Sequence, residues 1–483
     1  MELLIVLAVP LVFSLLGVIS NSHKAQAKII FLAYLLNVIF SISLAYRFLV
    51  SQQPLSLLHI FYADSLSIFF VFTISVVSFA AAIYSKGYIE HELAAKLIAP
   101  KTTKYYYLLF NLFVFSMLLT VMVNNLGLMW VAIELTTLVS AFLVGFHNSR
   151  NSVEAAWKYL IICSVGIVLA LLGTIIFSYA FFLSSGVKSL NWTELFIVAK
   201  NLNPDLVRIA FIFIIVGYGT KAGLAPMHTW LPDAHSQALS PVSALLSGVL
   251  LKTSIYAILR YSVITNLCLG SAFSSHLFVF FGVLSLAVSA GLVLVQKDIK
   301  RLLAYSSIEH IGIIMLGFGL GGIMGTYGAL LHIFNHAVTK SLLFFGAGNL
   351  VNAYGSNKIR SIRGALKVLP FTGFMVLIGI FALSGFPPFA MFFSELMILA
   401  AAFSQGNYLL GGFILLVLSL VFSAVLYQFG KMLFGEKPDH QPAVKEPFSI
   451  YLAFLFLLAL ILVGWSGLVN SLVQSVLITL KGL

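Results

Sequence analysis

The chain has 483 residues, 61% of them apolar and 9% charged, with a net charge of +12 and a mean hydropathy of +1.06. Soluble domains carry about 25% charged residues, so this composition excludes an ordinary water-soluble protein. It also offers no basic soluble region to bind nucleic acid, and the topology of loops between membrane spans accounts for the positive charge better.

Apolar stretches of about 18 residues or more recur along the chain, each long enough to cross a hydrocarbon core of about 30 Å as a helix. A β-barrel would need alternating segments of about ten residues. The fold class expected is therefore an all-α polytopic membrane protein. Reading in chain order predicts fourteen spans, at 2–20, 28–50, 64–85, 105–123, 126–148, 155–183, 206–227, 238–263, 272–296, 299–320, 326–351, 368–402, 408–432 and 447–475. The first lacks a basic leader region, and many spans follow it, so it reads as a retained helix rather than a cleaved signal.

Loops after odd-numbered spans hold most of the basic residues, from Lys24 and Lys28 through Lys86, Lys96, Lys101, Lys104, Arg150, Lys297, Lys300 and Arg301 to Lys358, Arg360, Arg363, Lys367, Lys437 and Lys445. Loops after even-numbered spans hold chiefly Lys188 and Lys200. The positive-inside rule then puts the odd loops in the cytoplasm and both termini outside. Cys163 and Cys268 have no metal-ligand spacing, and no flavin, haem or iron–sulfur ligands are apparent, so no cofactor is expected.

Spans 4 to 8 and 9 to 13 read as two copies of one five-helix unit. Ile133-Glu134-Leu135 echoes Ile308-Glu309-His310, and Lys221-Ala-Gly-Leu-Ala-Pro226 aligns with Leu383-Ser-Gly-Phe-Pro-Pro388. An odd number of helices per copy inverts one relative to the other. Domain boundaries follow: residues 1–104, a first repeat at 105–263, a second at 272–432, and a C-terminal helix in 447–483. Glycine followed by proline breaks a helix, which lipid tolerates where the freed backbone groups are buried or meet water. A simple packing kink is the plainer alternative, and the neighbouring charges weigh against it.

Glu134, Lys221 and Lys252 fall at membrane depth, where an ionised side chain costs at least about 2.5 to 3.5 kcal/mol and marks an ion pathway by default. A static ion pair between helices is the competing reading. The second copy carries Glu309, His310, His332, His336 and Lys340, with Glu395 beyond its break. His332, His336 and Lys340, spaced i, i+4, i+8, share one helix face, and imidazoles can both give and accept protons near neutral pH. A metal site is disfavoured, because the histidine pair has no evident third ligand. His228, Asp233 and His235 follow the first break and either line a proton exit or cap a tight turn. Asp64 reads as a helix N-cap.

These residues lie in stretches that resemble the antiporter-like subunits of respiratory complex I, Mrp-type cation/proton antiporters and energy-converting membrane hydrogenases. The stretches are Trp130-Val-Ala-Ile-Glu-Leu135, Gly219-Thr-Lys-Ala-Gly-Leu-Ala-Pro-Met-His228, Leu231-Pro-Asp-Ala-His235 and Lys300-Arg-Leu-Leu-Ala-Tyr-Ser-Ser306. The resemblance implies fourteen helices with inverted repeats and a charged axis through Glu134, Lys221, Lys252, Lys340 and a residue of span 12, with Glu134 modulating Lys221. Glu395 at the span 12 position, within Phe393-Ser-Glu395, is similar to the M-type subunit of complex I or the F-type subunit of hydrogenase-4. A long lateral helix, found in the largest complex I member, is not expected.

The function expected is proton translocation within a redox-driven multisubunit complex of the cytoplasmic membrane, with electron transfer left to partner subunits and a peripheral arm. The alternatives are cation/proton antiport, inorganic-carbon uptake as one membrane chain of a larger complex, and a structural scaffold.

Overall fold

The computed structural model describes residues 2–20, 22–436, 446–463 and 467–480, so Lys437 and Lys445 lie outside the described residues. The chain opens with α1 (Glu2–Ile19) and α2 (His23–Ser51), and continues into α3 (Ser65–Ala94), α4 (Thr103–Met122), α5 (Leu126–Val144) and α6 (Arg150–Ser185). A short α7 (Trp192–Val198) leads to α8 (Pro204–Ala222) and α9 (Trp230–Gln237). Next, α10 (Ser240–Leu245) passes through a π turn at Leu246–Leu250 into α11 (Leu251–Leu269). The remainder is α12 (Ser271–Val293), α13 (Ile299–Leu320), α14 (Gly322–Tyr354), α15 (Ala365–Val368), α16 (Pro370–Leu383), α17 (Ala390–Ser404), α18 (Tyr408–Phe434), α19 (Phe448–Val463) and α20 (Gly467–Thr479).

Among the described residues ten helices are long and apolar enough to cross a membrane, or eleven if the pair Phe448–Leu462 and Gly467–Thr479, bent by 55°, forms one span. This is fewer than the fourteen expected, for local reasons. The α8 helix holds Asp205, Arg208 and Lys221 within 19 residues. The α14 helix runs 33 residues but is diluted by His332, Asn335, His336, Lys340 and two further asparagines. The expected span at 368–402 is two short helices, α16 and α17. The all-α class holds, with one small antiparallel hairpin, β1 (Leu55–Leu57) with β2 (Phe61–Ala63), in the connection between α2 and α3.

The central α3 is buried almost along its whole length. By contrast α6 exposes Trp157, Ile161, Val165, Val168, Leu172, Ile175 and Tyr179, a helical stripe that faces outward on an otherwise packed protein. Small residues bring the interior helices together. A Cβ added at Gly217 of α8 would meet Gly166 O of α6 at 2.6 Å, and one at Gly312 of α13 would meet Gly282 O of α12 at 2.9 Å. Such close backbone approach is how membrane helices associate where burial from water supplies no driving force. Outward apolar faces and ten helices long and apolar enough to cross a bilayer make this a multi-pass membrane protein.

Candidate functional site

Both expected breaks are present and built alike. The α8 helix ends at Gly223 with φ +80°, and α16 gives way at Gly385 with φ +62°, the left-handed region that glycine enters freely. Each is followed by a cis X-Pro bond, at Ala225-Pro226 and Pro387-Pro388. The freed backbone groups find partners. Trp230 Nε1 donates to Thr220 O at 2.9 Å, Ser285 Oγ accepts from Ala225 N at 3.0 Å, and Asn335 Nδ2 donates to Ala390 O at 2.8 Å. Buried, satisfied breaks are the arrangement that lipid requires of irregular backbone.

Lys221 occupies the last turn of α8 and is fully buried. Its Nζ donates to Thr137 Oγ1 at 2.8 Å and to Tyr159 OH at 2.6 Å, and lies over the Tyr159 ring. The expected pairing with Glu134 is indirect. Thr137 stands between them, donating to Glu134 Oε2 at 3.2 Å, while Ser164 donates to Glu134 Oε1 at 2.8 Å. The half-exposed Glu134 thus keeps hydroxyl partners of its own and reaches Lys221 through one of them.

Lys252 lies just beyond the π turn, where it donates to Ser247 O and touches His336 Nδ1 at 2.6 Å. π turns release backbone groups from the regular ladder. His336 packs on His310, ring centroids 4.9 Å apart, and His310 Nδ1 lies 3.1 Å from His332 Nε2. His332 Nδ1 is then 2.9 Å from Ser394 Oγ, one residue before Glu395. Glu395 Oε1 sits 3.9 Å from His310 Nδ1. The α14 stripe is therefore split. His336 turns to Lys252 and His332 to His310, while Lys340 donates to Leu303 O at 2.7 Å and to Ser306 Oγ on α13. Glu309 and His310 are both buried on α13.

Glu309, His310 and Glu395 line a pocket of about 10 Å³, the lower limit for one water molecule. Gly385 leaves room for Glu395, since a Cβ there would run into Glu395 Oε2. His310, His332 and Glu395 also bring possible metal-ligand atoms within 4.8 Å of one another. The expectation concerned His332 with His336, whereas this group leaves out His336 and joins His332 to His310 and Glu395. The His310–His332 and His332–Ser394 contacts already occupy these nitrogens, however, which fits a hydrogen-bonded chain better than a metal cage.

The residues after the first break separate. Asp233 pairs with Arg301 and, at 3.6 Å, with Lys158, near the surface. His228 is largely buried against Tyr305. His235 is fully buried and stacked on Phe344. Asp64 caps α3 by accepting from Ser67 N at 3.0 Å, as expected, and also takes two bonds of 2.6 Å from the buried Arg260 guanidinium, which lies over Trp192. Sequence reasoning missed Arg260, Thr137, Tyr159 and Ser394. Local signals existed for three of them: Arg260 is a charge within the expected span 238–263, Ser394 adjoins Glu395, and Thr137 lies one helical turn from Glu134.

The family described as the transmembrane region of NADH:quinone oxidoreductase and Mrp antiporter subunits matches residues 123–426. The N-terminus of complex I chain 5 matches residues 50–96. The chain is 37% identical over 402 residues to the hydrogenase-4 component F homolog of Methylacidiphilum infernorum (isolate V4), covering 83% of this chain and 84% of that one. It is 30% identical over 355 residues to NADH-quinone oxidoreductase subunit N of Desulforudis audaxviator (strain MP104C), covering 72% and 67%. Among solved structures, a chain of the archaeal membrane-bound sulfane sulfur reductase superposes with a TM-score of 0.86 at 24% identity, covering 98% and 97%. A chain of the Mrp complex from Dietzia sp. DQ12-45-1b gives 0.84 at 19%, covering 99% and 96%. At those identities the structural likeness speaks to fold alone.

Proposed function

Because the chain belongs to the NADH:quinone oxidoreductase/Mrp antiporter transmembrane family, we propose that it carries protons across the membrane as a subunit of a redox-driven complex. The observation that carries this reading is the run of buried titratable groups from Lys252 through His336, His310 and His332 to Ser394 and Glu395. Each neutral imidazole holds one donor and one acceptor nitrogen, so a proton can enter at one and leave from the other. Lysines and carboxylates in a low-dielectric interior exist at two nearby protonation states when a neighbouring charge approaches or withdraws.

On this reading Lys221 is the loading site of the first half. Thr137 transmits the charge of Glu134 to it, and Tyr159 holds the ammonium. Lys252, the histidines and Lys340 carry the proton through the second half, and Glu395 with the adjoining small pocket releases it. Beside the ten long apolar helices, α8, α14, the α16–α17 pair and the α19–α20 pair would bring the crossings to fourteen. These would form two inverted five-helix repeats at 105–263 and 272–432, flanked by 1–104 and 447–483. The protein would sit in the cytoplasmic membrane with odd loops inside and both termini outside. The 37% identity to a hydrogenase-4 component F homolog, together with Glu395, favours a hydrogenase-type complex over the M-type subunit of complex I. Partner subunits would carry the redox centres, and the outward stripe of α6 offers lipid or a neighbouring protein an apolar face.

The test is Lys221→Ala in sealed inverted vesicles holding the whole complex. Donor-driven proton uptake should vanish while donor oxidation continues in part, and undiminished uptake would sink the assignment. Proton movement driven by an imposed Na⁺ or K⁺ gradient without donor would favour antiport, and co-purification with a zinc-enzyme-like partner would favour carbon uptake.

A further inference from the structure

Glu92, Tyr88, Lys300 and His235 are buried ionisable residues that stand apart from the axis. Glu92, in the last turn of α3, is 1% exposed. Its Oε2 lies 2.9 Å from His147 Nε2, whose side chain, in the turn after α5, is 29% exposed. Tyr88, one helical turn before Glu92, faces Glu92 on one side and Ser240 at the start of α10 on the other. Tyr88 also lines a pocket of about 270 Å³ with His91, Asn349 and Glu446, large enough for several waters.

Lys300 was expected in a loop but is buried in the first turn of α13. Its Nζ donates to Ala238 O at 3.0 Å and feels the Glu92 carboxylate electrostatically. Three residues before Ala238 stands His235. It is fully buried, meets the Ser243 backbone, and lies within electrostatic reach of Lys300, Lys252 and Lys340.

We propose that His147 and Glu92 form the mouth of a proton-input route that passes Tyr88 and Lys300 to His235 and supplies Lys252 and Lys340. The inference rests on the proton-carrying reading above. The steps balance as single proton transfers. The His147 imidazolium gives its Nε2 proton to the Glu92 carboxylate, and the neutral imidazole left behind takes up a solvated proton from the bulk. The Glu92 acid protonates the neutral Lys300 amine, Lys300 protonates His235, and His235 hands the proton to a neutral Lys252 or Lys340. Where two groups are not in contact, water relays the proton.

Inverted vesicles holding the assembled complex supply the test, with donor-driven proton uptake read per electron transferred. His147→Ala and Glu92→Gln should each lower uptake at least about tenfold. Glu92→Asp should retain most of it, and millimolar imidazole should restore His147→Ala, because a small diffusible base replaces a proton carrier but not a structural tie. Glu92→Asp failing as badly as Glu92→Gln, or His147→Ala untouched by imidazole, overturns the proposal. So does wild-type uptake in His147→Ala with loss in Asp233→Asn, which would put the entrance at the separate pocket of about 160 Å³ beside α9. Absence of uptake by the wild-type complex would instead defeat the proton-carrying reading itself.

Discussion

The two half-sites share a broken helix but surround their ionisable groups differently. In the first, Lys221 is held by hydroxyls alone, from Thr137 and Tyr159, and its acidic neighbour is half-exposed. In the second, imidazoles from α13 and α14 touch each other, Lys252 and, through Ser394, the start of α17. Hydroxyls can pass a proton but do not store one near neutral pH, whereas imidazoles do both. The hydrogen bonds that reach Lys221 and those that reach Lys252 do not meet among the described residues. The first half is thus built as a single charge site under electrostatic control, and the second as a chain.

The comparison can be broken at its sharpest point by Lys221→Ala, which removes the amine on which the first site is built. Coupled proton uptake should fall by about a hundredfold or more, measured as donor-driven quenching of a pH-sensitive dye in vesicles. A chain should be less brittle. His336→Gln keeps a polar contact for Lys252 but carries no proton, and uptake should fall by about tenfold, with donor oxidation falling less. At the far end Glu395→Ala should resemble His336→Gln, whereas Glu395→Lys, which restores a titratable group, should recover a measurable part of the uptake. Equal loss in both Glu395 variants would mean that the carboxylate is needed for its geometry. The smallest effect belongs to Thr137→Val. Losing the hydroxyl that joins Glu134 to Lys221 should cost about 1–3 kcal/mol of local stability, seen as a lower unfolding temperature in detergent, and slow uptake by several-fold without abolishing it.

Much of the site could be read from sequence because charge is expensive in an apolar helix. Glu134, Lys221, Lys252 and Glu395 stand out for that reason alone. The breaks were legible too, since Gly223 with Pro226 and Gly385 with Pro388 have few other uses inside a span. Hydroxyl partners were not, because serine and threonine are ordinary in membrane helices and signal nothing until packing assigns them a neighbour. The Asp64–Arg260 pair joins residues 196 positions apart, beyond any local pattern. Removing one side of so buried a pair commonly costs about 3–5 kcal/mol, which places it among the main ties between α3 and α11. Lys300 misled in the opposite direction, since its position beside a loop suggested topology while its side chain turned inward.

The π turn at Leu246–Leu250 lets α11 carry one more residue than a regular helix without losing register. A π turn holds one residue more than an α turn, so the residues after it stay in phase with those before it. Deleting a single residue from it would restore regular winding with Lys252 still on the side of His336, but would rebuild the backbone around the Ser247 carbonyl that accepts from Lys252 Nζ. The amine is therefore seated by an irregularity of winding as much as by its partners, and a one-residue deletion there should loosen it while leaving every charged side chain in the sequence.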